Sequence, residues 1–184
     1  MKKLAITAVL LAAFTASTAA RSEEISARLT GYQEVPSVST PAKGEFVAKI
    51  SRDDGLIEYE LTYGNLVGTV QQSHIHVAQR GVNGSVVIWL CQTTTTPAPT
   101  TVAGLTPSCP QSGTVTGHIT SANVITAGTA SQQITAGELA EVIAAIRAGV
   151  AYVNVHATPL NPGGEIRGQL RARHRDRERD RDRD

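Results

Sequence analysis

Two histidines, His74 and His76, lie one residue apart in the segment SHIHVAQRGVNG. Because side chains at positions i and i+2 of a β-strand point to the same side of the sheet, both imidazoles are expected on one face. Neutral imidazole nitrogens suit copper and zinc as ligands. The pair therefore indicates either two ligands of one metal ion or two polar residues on a solvated strand face.

A third histidine, His156, lies near the end of VAYVNVHA, a segment with the same alternation. The valines inside this segment form its apolar side, and His156 shares the opposite side with Asn154. If the two strands are neighbours, His74, His76 and His156 converge on one site outside the core. Three nitrogen ligands with an open coordination position favour copper among the divalent ions, so copper is predicted and zinc is less favoured.

The other polar residues of interest are less specific. His118 in SGTVTGHIT points away from the apolar side of its strand and is interpreted as a surface residue, with a fourth metal ligand as the alternative. His174 lies in the C-terminal tail and is not assigned to the site. Arg167 in GEIRGQL has two interpretations: an ion pair with Glu165 on a strand face, or a catalytic residue that borders the histidine site and attracts a small anion.

Short segments with strand periodicity and turn-rich links make up most of the chain. They predict an all-β fold, an antiparallel Greek-key sandwich or barrel of about eight strands. The segments are SARLTGYQ, GEFVAKIS, LIEYELTY, VQQSHIHVA, SVVIWLC, SGTVTGHIT, VAYVNVHA and GEIRGQL. One inserted helix is predicted over residues 135–148, because Thr135 and Glu138 have the spacing of a capping box and Gly149 can end the helix.

The first 20 residues are predicted to be a secretory signal peptide, because Lys2 and Lys3 precede a short apolar run and a stretch of small residues. Residues 21–170 then form one β domain. In an exported protein Cys91 and Cys109 are expected to form a disulfide. We therefore predict a periplasmic or secreted protein that has no membrane attachment after signal cleavage.

Charge is distributed unevenly along the chain. Residues 22–170 contain 7 Lys/Arg and 11 Asp/Glu, whereas the tail, residues 171–184, contains 7 Arg and 5 acidic residues. The tail is predicted to be disordered, because it has almost no apolar side chain to bury. Its interleaved acids cancel most of the attraction that its arginines would have for nucleic acid, so no nucleic-acid partner is predicted.

Two long segments, HIHVAQRGVNGSVVIWL and AGVAYVNVHATPLNPGGEIRGQL, closely resemble the CHRD domain, a module named after chordin. The resemblance begins near LTGYQEVPSVSTPAKGEF and ends at Leu170, and it implies an extracytoplasmic all-β domain. The layout is also similar, more distantly, to copper-zinc superoxide dismutase. That likeness implies copper ligands at His74, His76 and His156 and an anion-guiding arginine at Arg167. A bridging histidine and a zinc cluster are missing, which implies a copper-only variant.

Two functions are therefore predicted as alternatives. The first is a secreted domain that binds one transition metal, copper, through three histidines and carries out redox chemistry on a small molecule such as superoxide. The second is a non-enzymatic binding or structural module without metal, whose histidines contact a partner or only form hydrogen bonds.

Overall fold

Nine β-strands and one α-helix form the part of the chain that the computed structural model describes, residues 22–173. The helix α1 (Leu139–Arg147) lies between the sixth and seventh strands. The strands are β1 (Glu23–Thr30), β2 (Lys43–Ile50), β3 (Ile57–Gly64), β4 (Thr69–Val77), β5 (Ser85–Cys91), β6 (Gly113–Ile119), β7 (Ala151–Thr158), β8 (Asn161–Gln169) and β9 (Arg171–Arg173). All eight predicted strands are present, and β9 is an addition to them.

The strands form one antiparallel sheet in the order β5-β4-β7-β8-β1-β2-β3-β6, with β9 beside β1. The two ends of this sheet nearly meet. The Tyr59 hydroxyl on β3 donates a 2.6 Å hydrogen bond to the Leu90 carbonyl on β5. The predicted disulfide between Cys91 and Cys109 is present and ties the end of β5 to the segment before β6. The fold is a nearly closed eight-stranded barrel with one helix, as predicted.

Alternation along the strands decides which side chains enter the barrel. Ile75 on β4 pairs with Val153 on β7, and both are fully buried in the apolar core together with Val155. Side chains next to these residues along each strand point to the opposite face. The polar residues between them, His74 and Asn154 among these, therefore lie on the outer side of β4 and β7.

The helix begins later than predicted. It starts at Leu139 rather than near Thr135, because Gly137 has a φ of +90°, a left-handed conformation that an α-helix cannot contain. The Glu138 carboxylate does accept a 2.6 Å hydrogen bond from the Thr135 N–H. The two residues predicted to form the capping box therefore contact each other, but in a turn that precedes the helix. The helix ends at Arg147, and Gly149, two residues further on, has a φ of +71°, the left-handed conformation that stops the helix there, as predicted.

The ordered domain extends beyond the predicted boundary at Leu170. Strand β9 pairs with residues 24–26 of β1, because backbone hydrogen bonding needs no apolar side chain. The predicted signal peptide, His174 and the rest of the tail lie outside the described residues, 22–173. In that part of the chain, none of the helices combines the length and the apolar character needed to span a membrane.

Candidate metal centre

Three histidines, His74, His76 and His156, lie together on the outer side of β4 and β7. One ring nitrogen from each lies within 4.8 Å of the other two. The His74 Nδ1 and His156 Nε2 atoms are 3.2 Å apart. Two nitrogens that bind one ion at about 2.0–2.1 Å lie no more than about 4 Å apart, so this pair has the spacing of two ligands of a single ion.

The register of β4 against β7 brings these side chains together. His74 pairs with Asn154, and His76 pairs with Tyr152. His156 follows Asn154 by two residues and therefore points to the same side. The structure thus brings together all three predicted ligands from two separate segments, whereas metal binding itself stays a prediction.

The histidine rings are buried, although the sequence predicted a water-facing surface. The relative exposures are 2% for His74, 7% for His76 and 6% for His156. Two loops cover this face of the sheet: residues 31–42, and residues 78–84, which we call the roof loop. The Asn83 side chain of the roof loop donates a 3.0 Å hydrogen bond to the Val35 carbonyl of the other loop. The site is therefore a polar layer enclosed between a sheet face and two loops.

Main-chain carbonyls set the tautomers of two rings. His76 Nδ1 lies 2.9 Å from the Gly84 carbonyl, and His156 Nδ1 lies 2.9 Å from the Pro162 carbonyl. Because a carbonyl oxygen only accepts hydrogen bonds, His156 Nδ1 carries the proton and its Nε2 carries a lone pair. At His76 the nearer acceptor, the Gly84 carbonyl, takes the proton of Nδ1, which leaves the Nε2 lone pair 3.1 Å from the Asn154 Oδ1 atom. Such hydrogen bonds orient metal-binding imidazoles in known sites. Both rings are therefore held with Nε2 as the available ligand atom.

The His74 ring also keeps a lone pair without a protein donor. Its Nε2 is buried and has no hydrogen-bond partner, and its Nδ1 faces the lone pair of His156 Nε2. A neutral imidazole has one N–H and one lone pair, so in either tautomer the His74 lone pair has no donor opposite it. The Trp89 ring packs against His74 at 4.3 Å between ring centroids. The donor set fits one metal ion.

Burial keeps the three imidazoles neutral. It lowers the pKa of His76 to about 4, although the hydrogen bond to the Gly84 carbonyl opposes this effect. Burial, followed by the neighbouring His156, lowers the pKa of His74 well below its usual range. The pKa of His156 is also lowered by burial. At pH 7 all three rings are in the neutral form that binds metal ions.

Arg167 on β8 lies on the same face but is only 1% exposed. Its guanidinium donates hydrogen bonds to the Val82 carbonyl at 2.9 Å, and to the Gln79 carbonyl and the Asn83 side chain at 3.3 Å each. One of its two predicted roles was an ion pair with Glu165. Both side chains lie within the described residues, and they form no salt bridge with each other. The other, a catalytic role toward a small anion, stays a prediction.

His118 lies on the barrel surface, as predicted, and is not part of the histidine group. Its Nε2 atom is 3.5 Å from a Glu58 carboxylate oxygen on the neighbouring strand, and both side chains are more than half exposed. It therefore serves as a reference histidine in the experiments below.

Glu34 is a buried polar residue near the site that the sequence did not single out. It lies in loop 31–42, is 6% exposed, and has one carboxyl oxygen, Oε1, without a partner. This oxygen and the Asn154 Nδ2 atom both lie against Gly164, in the space that a Cβ there would fill. Burial raises the pKa of Glu34 to about 7, although the Arg167 charge opposes this. A lone glutamate in a loop gives no periodic signal by which to find it.

Glu34→Gln is expected to stabilise the metal-free domain at pH 8 and to change its stability little at pH 5. The pKa of Glu34 is about 7 in the folded protein and near 4.5 in the unfolded chain. Stability from the neutral carboxyl is therefore fully present below 4.5 and is lost as the pH rises through 7. The gain at pH 8 is on the order of 3 kcal/mol. Urea unfolding of both proteins measures it, and an equal difference at the two pH values would contradict the prediction.

Comparison with known proteins gives one match. The family model of the CHRD domain matches residues 25–170, a span that contains both cysteines and all three histidines of the site. Neither a curated protein nor a solved structure matches the chain significantly. The disulfide fits an oxidising compartment, which agrees with an extracytoplasmic domain. Because the match extends from β1 to the residue after β8, the chain belongs to the CHRD domain family.

Proposed function

We propose that this CHRD domain binds one copper ion through His74, His76 and His156, in the periplasm or outside the cell. The observation that carries the proposal is a group of three neutral, buried imidazoles with ring nitrogens within 4.8 Å of one another. Drawing the widest pair of nitrogens from up to 4.8 Å to the roughly 4 Å that one ion allows requires a shift of the rings of less than about 1 Å and no rearrangement of the sheet. The export signal predicted at residues 1–20 is part of the same proposal.

Copper is favoured over zinc by the chemistry of the donor set. The group contains only nitrogen donors, and both cysteines of the chain are in the disulfide. At a site of given nitrogen ligands, Cu²⁺ binds more tightly than Zn²⁺. Zinc is the competing ion, because three histidines also form known zinc sites.

Redox chemistry on superoxide is the finer part of the proposal. Three protein ligands leave one position open on a four-coordinate ion, which a reactive site requires. Copper bound there would supply one-electron redox chemistry. The protein holds the His76 and His156 rings in place through the Gly84 and Pro162 carbonyls and keeps bulk water away through the two loops. The positive charge of Arg167 on the same face favours an anion as the small-molecule substrate.

A structural module without metal is the competing function, and one observation favours it. His74 and His156 lie within hydrogen-bond distance of each other, and the His76 Nε2 atom lies 3.1 Å from Asn154 Oδ1, which would accept its proton in the other tautomer of that ring. These contacts could serve only to stabilise the polar layer. In that case the domain would bind no metal at this site.

A calorimetric titration with Cu²⁺ distinguishes the two functions. The mature domain is expected to bind one equivalent more tightly than about 1 μM. The double variant His74→Ala/His76→Ala should lose this binding, whereas His118→Ala should retain it, because His118 lies outside the group. Copper binding that is unaffected in the double variant would reject the proposal, since the ion would then occupy other groups.

Superoxide turnover by the copper-loaded domain tests the redox part. We expect decay of superoxide to be accelerated by the loaded wild type and not by the double variant exposed to the same copper concentration. A fully loaded wild type without turnover would reject the enzymatic part and leave a copper-binding domain.

A further inference from the structure

We propose that Arg167 is a positioning residue of the histidine centre, which fixes the orientation of the His76 ring through Tyr152 and through the roof loop. This inference deepens the proposed function, and its copper readout rests on that function. Its second readout, the state of the His76 ring in the metal-free protein, does not.

The first route from Arg167 to His76 is a stack of three planar groups. The guanidinium carbon of Arg167 lies 3.4 Å from the centroid of the Tyr152 ring. The Tyr152 and His76 rings are 4.6 Å apart between centroids, and their planes differ by 4°. Because β7 lies between β4 and β8 in the sheet, the Tyr152 ring lies between the other two groups. A rotated His76 ring would lose this stacking, which depends on parallel planes.

The second route begins with the hydrogen bonds of Arg167 to the roof loop. One guanidinium nitrogen, Nη2, donates to the carbonyls of Gln79 and Val82, and Nη1 donates to the Asn83 side chain. A planar guanidinium presents donors on three separate nitrogens in a fixed plane, whereas an ammonium group carries its three N–H donors on one rotatable nitrogen. Arg167 therefore holds the roof loop at three positions along its middle, while Gln169 donates to the Ala78 carbonyl at its start and Asn83 donates to the Val35 carbonyl.

The roof loop ends at the residue that holds His76. The Gly84 carbonyl accepts the hydrogen bond from His76 Nδ1 at 2.9 Å, and the Gly84 N–H donates to the Tyr152 hydroxyl at 3.3 Å. A displacement of the roof loop would therefore move the Gly84 carbonyl, which accepts the hydrogen bond from the His76 ring. Both routes from Arg167 end at His76, and together they specify its tilt and its tautomer.

Stability alone is a poor reason for a cation at this position. Arg167 is almost completely buried, and no carboxylate of the described residues lies within 4.0 Å of its guanidinium. A buried charge carries a desolvation cost that an apolar residue of similar volume would avoid. A geometric requirement for a planar donor explains its presence better.

Arg167→Lys is the decisive substitution, because it keeps the positive charge and removes the planar donor. Nitrogen-15 NMR of the metal-free protein should show one Nδ1–H tautomer for His76 in the wild type and a mixture of tautomers in the variant. The copper affinity is expected to fall about 10- to 100-fold, as for other residues that orient metal ligands, with a changed electron paramagnetic resonance spectrum. A role limited to attracting an anion predicts unchanged affinity and unchanged NMR signals, because the charge is kept.

Two further variants accompany Arg167→Lys, one as a second test of the same contact and one as a negative control. Tyr152→Leu breaks the stack while Arg167 stays in place, and it should reproduce the His76 signature of Arg167→Lys; it carries the test if Arg167→Lys does not fold. Arg147→Lys makes the same change at a half-exposed arginine that pairs with Glu23 and Asp54 on another part of the surface, so His76 should be unaffected.

The possible failures are distinguishable. A wild type that binds no copper would reject the proposed function, and the NMR result would still decide this inference. Unchanged His76 signals and unchanged copper affinity in both Arg167→Lys and Tyr152→Leu, in a wild type that does bind copper, would overturn the inference alone.

Discussion

Copper is expected to raise the free energy of unfolding of the wild-type domain by about 4 kcal/mol when the free ion exceeds its dissociation constant 1,000-fold. The reason is that only the folded chain gathers the ligands. His74 and His156 are 82 residues apart in the sequence, and the β4–β7 pairing alone brings their nitrogens to 3.2 Å. Urea unfolding with and without Cu²⁺ measures the shift. Binding of copper to the unfolded chain would reduce it.

His156→Gln should reduce this copper-induced shift to less than about 1 kcal/mol, because one of three ligands is lost and the ion no longer exceeds its dissociation constant by a large factor. Glutamine keeps a polar side chain near the Pro162 carbonyl, so the metal-free variant remains comparable with the wild type. His118→Gln is the matched control, since it removes an exposed histidine and should leave the full shift. A full shift in His156→Gln would contradict the predicted ligand set.

The strands were predictable because alternation is a local property of the chain. The segment SVVIWLC matches β5 residue for residue, and the other strands agree within a few residues. Strand β9 was not predictable, since its sequence lacks alternating apolar residues and its formation depends on backbone pairing with β1, which is distant in the sequence. The helix start depended on the conformation of Gly137, which the capping-box spacing at Thr135 does not reveal.

The sequence predicted which face of the sheet carries the candidate site, but not the loops that surround it. Alternation placed His74, His76 and His156 opposite the core, whereas their proximity required a pairing between distant strands that no local pattern contains. Their burial depends on loop 31–42 and the roof loop, whose glycine and polar residues carry no periodic signal. The contacts of Arg167 with the roof-loop carbonyls also join segments that are distant in the sequence, so no local pattern predicts them. The sequence therefore indicated only a strand-face ion pair or an anion-attracting residue.

Gly84→Ala is expected to destabilise the domain and to weaken copper binding at the same time. A Cβ at Gly84 would overlap the Val77 carbonyl oxygen and would lie 2.7 Å from the Val77 carbonyl carbon and 2.8 Å from the Ala78 Cβ. Because two of these are main-chain atoms at the end of β4, relief requires the roof loop itself to move. We expect a cost of about 3 kcal/mol, at the upper end of overpacking effects. The same movement displaces the Gly84 carbonyl from His76 and should lower copper affinity about 10-fold.

Gly163→Ala is the matched control for this substitution. Gly163 lies beside Pro162, whose carbonyl orients His156, yet a Cβ at Gly163 would meet no atom within 4 Å and its φ is not in the left-handed region. Its melting temperature and copper affinity should therefore stay near those of the wild type. If Gly84→Ala instead matched the wild type in both measurements, the roof loop could shift without moving the His76 ring. The hydrogen bond from His76 to the Gly84 carbonyl would then not be what orients that ligand.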